Sequence, residues 1–88
     1  MASKHVIVHG HVQGVSFRAA AQDTAVDLGV AGWVRNRDDG SVEMVVEGDD
    51  EAVDRMVRWA RQGPSAAEVT DVDVTDTEPQ GLRSFDQA

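Results

Sequence analysis

A two-layer α+β sandwich is the fold class that this 88-residue sequence predicts, and three observations lead there. Hydrophobic spacing switches between a period of two and a period near 3.6, in the order strand, helix, strand, strand, helix, strand. Glycine, proline or an Asp-Gly pair marks most of the switches. The length suits one domain, residues 1–88, which buries roughly 60 to 65% of its unfolded surface and so holds a two-layer core without disulfides.

Each element has its own signature. Lys4 to His9 alternates, with Val6 and Val8 on one side and His5, Ile7 and His9 on the other, as a half-buried strand requires. From Phe17 to Leu28 the stripe is Phe17, Ala21, Ala25 and Leu28, and Gly29 supplies a helix stop that tolerates positive φ. Val30 to Asn36 and Ser41 to Glu47 read as a hairpin, the second strand setting Val42, Met44 and Val46 against Glu43, Val45 and Glu47. Asp38-Asp39-Gly40 is its turn, where residues comfortable at φ > 0 are favoured. Gly48-Asp49-Asp50-Glu51 opens a second helix, whose first-turn carboxylates suit the orphan N–H groups there. Its stripe is Val53, Met56, Val57 and Ala60, and Gly63-Pro64 ends it. Val69 to Thr75 is a strand with Val72 and Val74 inward and Asp71 and Asp73 outward. In the polar tail Glu78 to Ala88, only Phe85 is expected to be pinned. Two helices on one face of a mainly antiparallel sheet of four to five strands is the ferredoxin-like arrangement, which hosts binders and enzymes alike.

Charge narrows the function classes. Sixteen acidic against eight basic residues give a net charge of −8, which disfavours nucleic acid and anionic membranes as partners. Lys4 is the sole lysine; adaptation to high salt and an ordinary acidic surface bias explain this balance equally well. There is no cysteine, so thiol chemistry and a disulfide framework are excluded and a reducing compartment is permitted. No apolar run approaches the roughly 20 residues that span a bilayer. The start, Met1-Ala2-Ser3-Lys4-His5, has no secretory pattern, so the expected location is the cytoplasm. The absence of an exposed apolar stripe points to a monomer.

The chemistry concentrates in Gly10 to Arg18, GHVQGVSFR, a glycine-flanked loop between a strand and a helix. Backbone N–H groups of Gln13, Gly14, Val15, Ser16 and Phe17 can converge there on a tetrahedral oxyanion, because a helix N-terminus leaves its first donors unpaired. Arg18, just inside the helix, can grip two phosphate oxygens with its planar guanidinium. Taken alone, an arginine at a helix start is more often solvated, and an asparagine before a turn, such as Asn36, more often caps it.

Two motifs reverse those odds. His9-Gly10-His11-Val12-Gln13-Gly14-Val15-Ser16-Phe17-Arg18 and Gly32-Trp33-Val34-Arg35-Asn36-Arg37-Asp38-Asp39-Gly40-Ser41-Val42-Glu43, in that order, resemble the acylphosphatases over most of the chain, through the Gln62-Gly63-Pro64 turn to about Val74. The resemblance implies a metal-independent enzyme without cofactor that hydrolyses acyl phosphates to a carboxylate and inorganic phosphate. It also implies that Arg18 matches the phosphate-binding arginine and Asn36 the catalytic asparagine. Ala19 stands where a larger side chain is frequent, and the final Phe85-Asp86-Gln87-Ala88 lacks the usual basic residue. The competing class is a non-catalytic anion-binding or regulatory module on the same fold, distinguished by having no use for Asn36.

Other residues carry blander expectations. Trp33 and Phe17 are expected to anchor the core, and Arg35 and Arg37 to pair with Asp38 or Asp39. His5, His9 and His11 share strand parity, so a three-imidazole metal site is conceivable, but no carboxylate or thiolate is placed to complete it and the expectation is no metal. His11 is expected to be solvent-exposed.

Overall fold

The computed structural model describes residues 1–88. In chain order the elements are β1 (Ala2–His11), α1 (Phe17–Leu28), β2 (Ala31–Asn36), β3 (Val42–Gly48), α2 (Asp50–Gln62), β4 (Glu68–Asp76) and β5 (Phe85–Gln87). The sheet order is β4-β1-β3-β2-β5. All neighbours are antiparallel except β2 and β5. Both helices pack on one face: α1 over β2 and β5, α2 over β1, β3 and β4. The core lies between the layers, where Val6, Val8, Val34, Met44 and Val46 of the sheet meet Ala21, Ala25, Val53, Met56 and Ala60 of the helices. No helix is long and apolar enough to cross a membrane.

The central strands run longer than alternation alone predicts. β1 reaches from Ala2 to His11 because it is paired on both sides, with β3 from Ala2↔Gly48 and with β4 as far as His11↔Glu68. Its ladder with β4 steps from His9↔Asp71 to Gly10↔Val69, leaving Thr70 as the extra residue of a bulge. That step lets Val69 pack on the core together with Val72 and Val74 despite its odd parity. Gly10 is the matching requirement, since a Cβ there would lie 2.1 Å from the Glu68 carbonyl oxygen.

Local chemistry sets the ends. α1 closes on Gly29 in the left-handed region, φ 73°, whose N–H bonds back into the last turn. At the other helix, Asp49 stands at the N-cap without a side-chain capping bond, so Asp50 and Glu51 act there only through the dipole. The β2–β3 turn differs from the expected pairing of two residues at φ > 0. Only Gly40 takes positive φ, 92°, with Gly40 N–H donating to the Arg37 carbonyl and Arg37 N–H to the Ser41 carbonyl. This is the three-residue hairpin in which one left-handed residue follows a tight turn. Asp39 holds it by accepting from the Ser41 N–H and hydroxyl.

Two expectations need correction. Trp33 is not a core anchor: Val34 takes the inward place on β2, and Trp33 stands half-buried on the helix-free face with the Arg35 guanidinium 5.7 Å from its ring centroid. Phe17 is the aromatic that enters the core, 2% exposed and 5.1 Å from the Trp59 ring. The tail, too, is pinned at far more than Phe85. Leaving β4, it crosses the helix-free face to β5 at the opposite edge, tied by Thr77 N–H to the Ser3 carbonyl and by Gly32 N–H to the Ser84 carbonyl. Midway it meets Glu47, whose carboxylate is 2% exposed and accepts from Gln80 N–H (2.6 Å), Leu82 N–H (3.1 Å) and the Ser3 hydroxyl (3.0 Å). Burial alone raises such a carboxyl's pKa, but these donors prevail and hold it below the ordinary glutamate range.

Candidate active site

The loop from Val12 to Ser16 is fixed at both ends by burial: Val12 is 1% and Phe17 2% exposed. Between them the sign of φ alternates, positive at Gly14 (76°) and Ser16 (61°) but not at Val15. Such alternation curls a backbone so that successive N–H groups face one concavity. Ser16, the one non-glycine residue in the left-handed region, forms the N-cap of α1 with no capping bond from its hydroxyl. Its strained conformation is stored at the mouth of the loop. None of the N–H groups from Gln13 to Ala19 donates to a backbone carbonyl, and the first internal bond of the helix is Ala20 N–H to the Ser16 carbonyl. A row of free donors thus meets the positive end of the α1 dipole.

Topology brings Asn36 to this loop. β1 and β2 flank β3, so the exit of β1 and the last residue of β2 sit at the same end of the sheet. A cavity of about 370 Å³ opens there, lined by Val12, Gly14, Ser16, Phe17, Arg18, Ala19, Asn36 and Gln87. Arg18 and Asn36, 18 residues apart in sequence, therefore share one cavity, with Gly14, Ser16 and Phe17 on its wall. Gln13 and Val15 are not among the lining residues, and Gln13 turns its side chain to the hairpin, donating from Nε2 to the carbonyls of Arg37 (2.7 Å) and Ser41 (2.9 Å). The Arg18 Nη1 donates to the main-chain oxygen of Ala88 at 3.1 Å. With Gln22 Nε2 donating to the Phe85 carbonyl, this fastens β5 to α1 and makes Gln87 part of the cavity wall.

The surrounding charges settle elsewhere than expected. Arg35 pairs with Glu43, its cross-strand neighbour, not with Asp38 or Asp39. Glu43 also bonds His5 Nε2 at 2.6 Å, and the His5 and Arg35 contacts hold its carboxyl below the usual range. His9 pairs with Asp73 at 3.0 Å and His11 is exposed. Arg37 makes no ion pair. No group of three His, Asp or Glu side chains is arranged to hold a metal ion. Among the charges beside the site, Asp39 is held low by its bonds from Ser41.

The family model for acylphosphatase matches residues 4–87. The chain belongs to the acylphosphatase family. Acylphosphatase from Trichormus variabilis is 56% identical over 82 residues, 93% of this chain and 81% of that protein. Acylphosphatase from Haloquadratum walsbyi is 52% identical over 81 residues, 92% and 87%. Among solved structures, acylphosphatase from Bacillus subtilis superposes with a TM-score of 0.97 at 39% identity, covering 100% of this chain and 99% of that one. As an acylphosphatase the chain is an acyl phosphate hydrolase, and the architecture, two helices on a five-stranded, mostly antiparallel sheet in βαββαβ order, is that of the family's solved members.

Of the residues singled out in the sequence, Gly14, Ser16, Phe17, Arg18 and Asn36 meet on this cavity wall, together with Gln87, which the sequence did not single out. The cue available was weak: the tail carries only two large apolar residues, Leu82 and Phe85, and Gln87 is seated by the β2–β5 pairing and by its own amide, which donates to Gln22 Oε1 at 2.9 Å.

Proposed function

We propose that this acylphosphatase works through Arg18, the N–H groups of the Gln13–Phe17 turn and Asn36. The supporting observation is that Arg18 and Asn36 line one cavity at the N-terminus of α1. An acyl phosphate carries a good leaving group, a carboxylate, so its hydrolysis needs positioning and charge stabilisation more than a strong base. Arg18 and the loop amides hold the phosphoryl oxygens, and their grip tightens as charge builds in the transition state. The Asn36 amide does not titrate, so it orients a water for in-line attack on phosphorus while that water's proton passes to a phosphoryl oxygen or to solvent. The P–O bond to the carboxylate breaks with its electron pair, leaving a free carboxylate and inorganic phosphate. Substrates are small acyl phosphates. The cavity is open and lined mostly by the loop and the start of α1, so the acyl part is loosely specified.

Ultraviolet-monitored hydrolysis of benzoyl phosphate, with a chelator present, tests the assignment. Asn36→Ala is expected to lower kcat by about 100-fold or more with KM little changed, and Arg18→Ala to lower kcat and raise KM together. An Asn36→Ala enzyme with normal turnover would refute the role given to that residue.

A further inference from the structure

The anion-facing loop and the hairpin that carries Asn36 come from different parts of the chain, and reaction geometry depends on their spacing. Only two hydrogen bonds join Val12–Arg18 to Asn36–Ser41, and both come from one side-chain amide, Gln13 Nε2 to the carbonyls of Arg37 and Ser41. Both acceptors are carbonyl oxygens, so the NH₂ end of the amide must face them. One of the acceptors, Arg37, adjoins Asn36 in the chain.

These bonds are not what completes the hairpin. The Arg37 carbonyl already accepts from Gly40 N–H at 3.2 Å, and the Ser41 carbonyl from Arg37 N–H at 2.9 Å. The Asp39 carboxylate holds the Ser41 N–H and hydroxyl independently. On the other side, the ends of the loop are anchored by buried Val12 and Phe17. Each part therefore folds on its own contacts, and the Gln13 amide contributes their relative placement.

We propose that Gln13 is a positioning residue, whose side chain sets the distance between the phosphoryl cradle and the water-orienting Asn36. The inference rests on the roles proposed above for Arg18 and Asn36. Displacing a reacting group by about 1 Å can cost about 100-fold in rate, while phosphate held by Arg18 and the loop amides needs no contribution from Asn36. The loss should accordingly fall on kcat.

Gln13→Met keeps length and volume but removes the donors, and Gln13→Glu keeps the shape but turns two acceptor oxygens toward two carbonyls. Both are assayed with benzoyl phosphate, with inorganic phosphate as competitive inhibitor, alongside Asn36→Ala. The expected result is a fall in kcat of about 10- to 100-fold, larger for Gln13→Glu, with the inhibition constant for phosphate within about twofold and the melting temperature of Gln13→Met nearly unchanged. A kcat within twofold of wild type overturns the proposal. So does a phosphate inhibition constant that weakens in step with kcat, or a Gln13→Met chain that fails to fold, since either makes Gln13 part of the cradle or of the fold. If Asn36→Ala also turns over normally, the reading of the site has failed rather than the strut; an impaired Asn36→Ala beside unaffected Gln13 variants defeats the strut alone.

Discussion

Removing the Glu47 carboxylate should unfasten the segment that crosses the sheet. In Glu47→Ala three donors lose their acceptor, Gln80 N–H, Leu82 N–H and the Ser3 hydroxyl. Hydrogen bonds to a charged group contribute about 1.5 to 3 kcal/mol each. Taking the low end, because Gln80 is exposed and Leu82 only partly covered, so that water can reach both amides once the segment loosens, the sum is about 4.5 kcal/mol. Some of this is recovered because the costly burial of the carboxylate is also removed, leaving about 3 kcal/mol. For a domain of this size 1 kcal/mol shifts the melting temperature by about 4 to 8 °C, so a drop of about 12 to 24 °C is expected. Glu47→Gln retains one acceptor oxygen and should lose about half as much. Circular dichroism melts give the shift, and amide exchange at Gln80 and Leu82 shows where it arises. A Glu47→Ala protein melting within about 3 °C of wild type would refute the reasoning.

Acid stability follows from the same carboxylate and from Glu43. Both are held below the ordinary glutamate value in the folded chain, so in acid the unfolded chain binds more protons than the folded one. Their contribution is complete above the unfolded value and is lost as pH falls through the folded ones, and Glu47→Gln should flatten that acid limb in a series of melts. Gly32→Ala places a Cβ 1.7 Å from the Val45 carbonyl oxygen in the neighbouring strand, and should cost about 3 kcal/mol or more in denaturant unfolding. Gly81→Ala, with φ 74° and open space around it, should cost only about 1 to 2 kcal/mol; equal losses would contradict the steric account. With a net charge of −8, the melting temperature should rise as salt screens carboxylate repulsion, and a flat salt series would count against it.

The elements with strong periodicity were legible before any coordinates. α1 spans the predicted residues because the Phe17, Ala21, Ala25 stripe and Gly29 leave no alternative. The proximity of the loop and Asn36 was legible through two long motifs, and follows physically from placing β3 between β1 and β2. What escaped is carried by backbone atoms. A polar tail signals exposure, yet Gln80 and Leu82 are anchored by their N–H groups, which every residue but proline possesses. Trp33 misled because size argues for burial, whereas parity along β2 gives the inward place to Val34. Likewise, nothing in the letter Q at position 13 announces which two carbonyls its amide will face.

The two margins of the sheet differ in what they offer another molecule. β5 is three residues long and gives little to pair with, but β4 runs for nine, Glu68–Asp76, with a flank open to solvent. Asp73 and Asp76 turn back to His9 and Lys4 of β1, but Glu68 and Asp71 have no cationic partner, so copies approaching margin to margin set like charges against each other. Solubility is thereby written into the strand most prone to sticking, and this guard weakens in acid, where neutralised carboxylates would let β4 recruit a neighbour's chain.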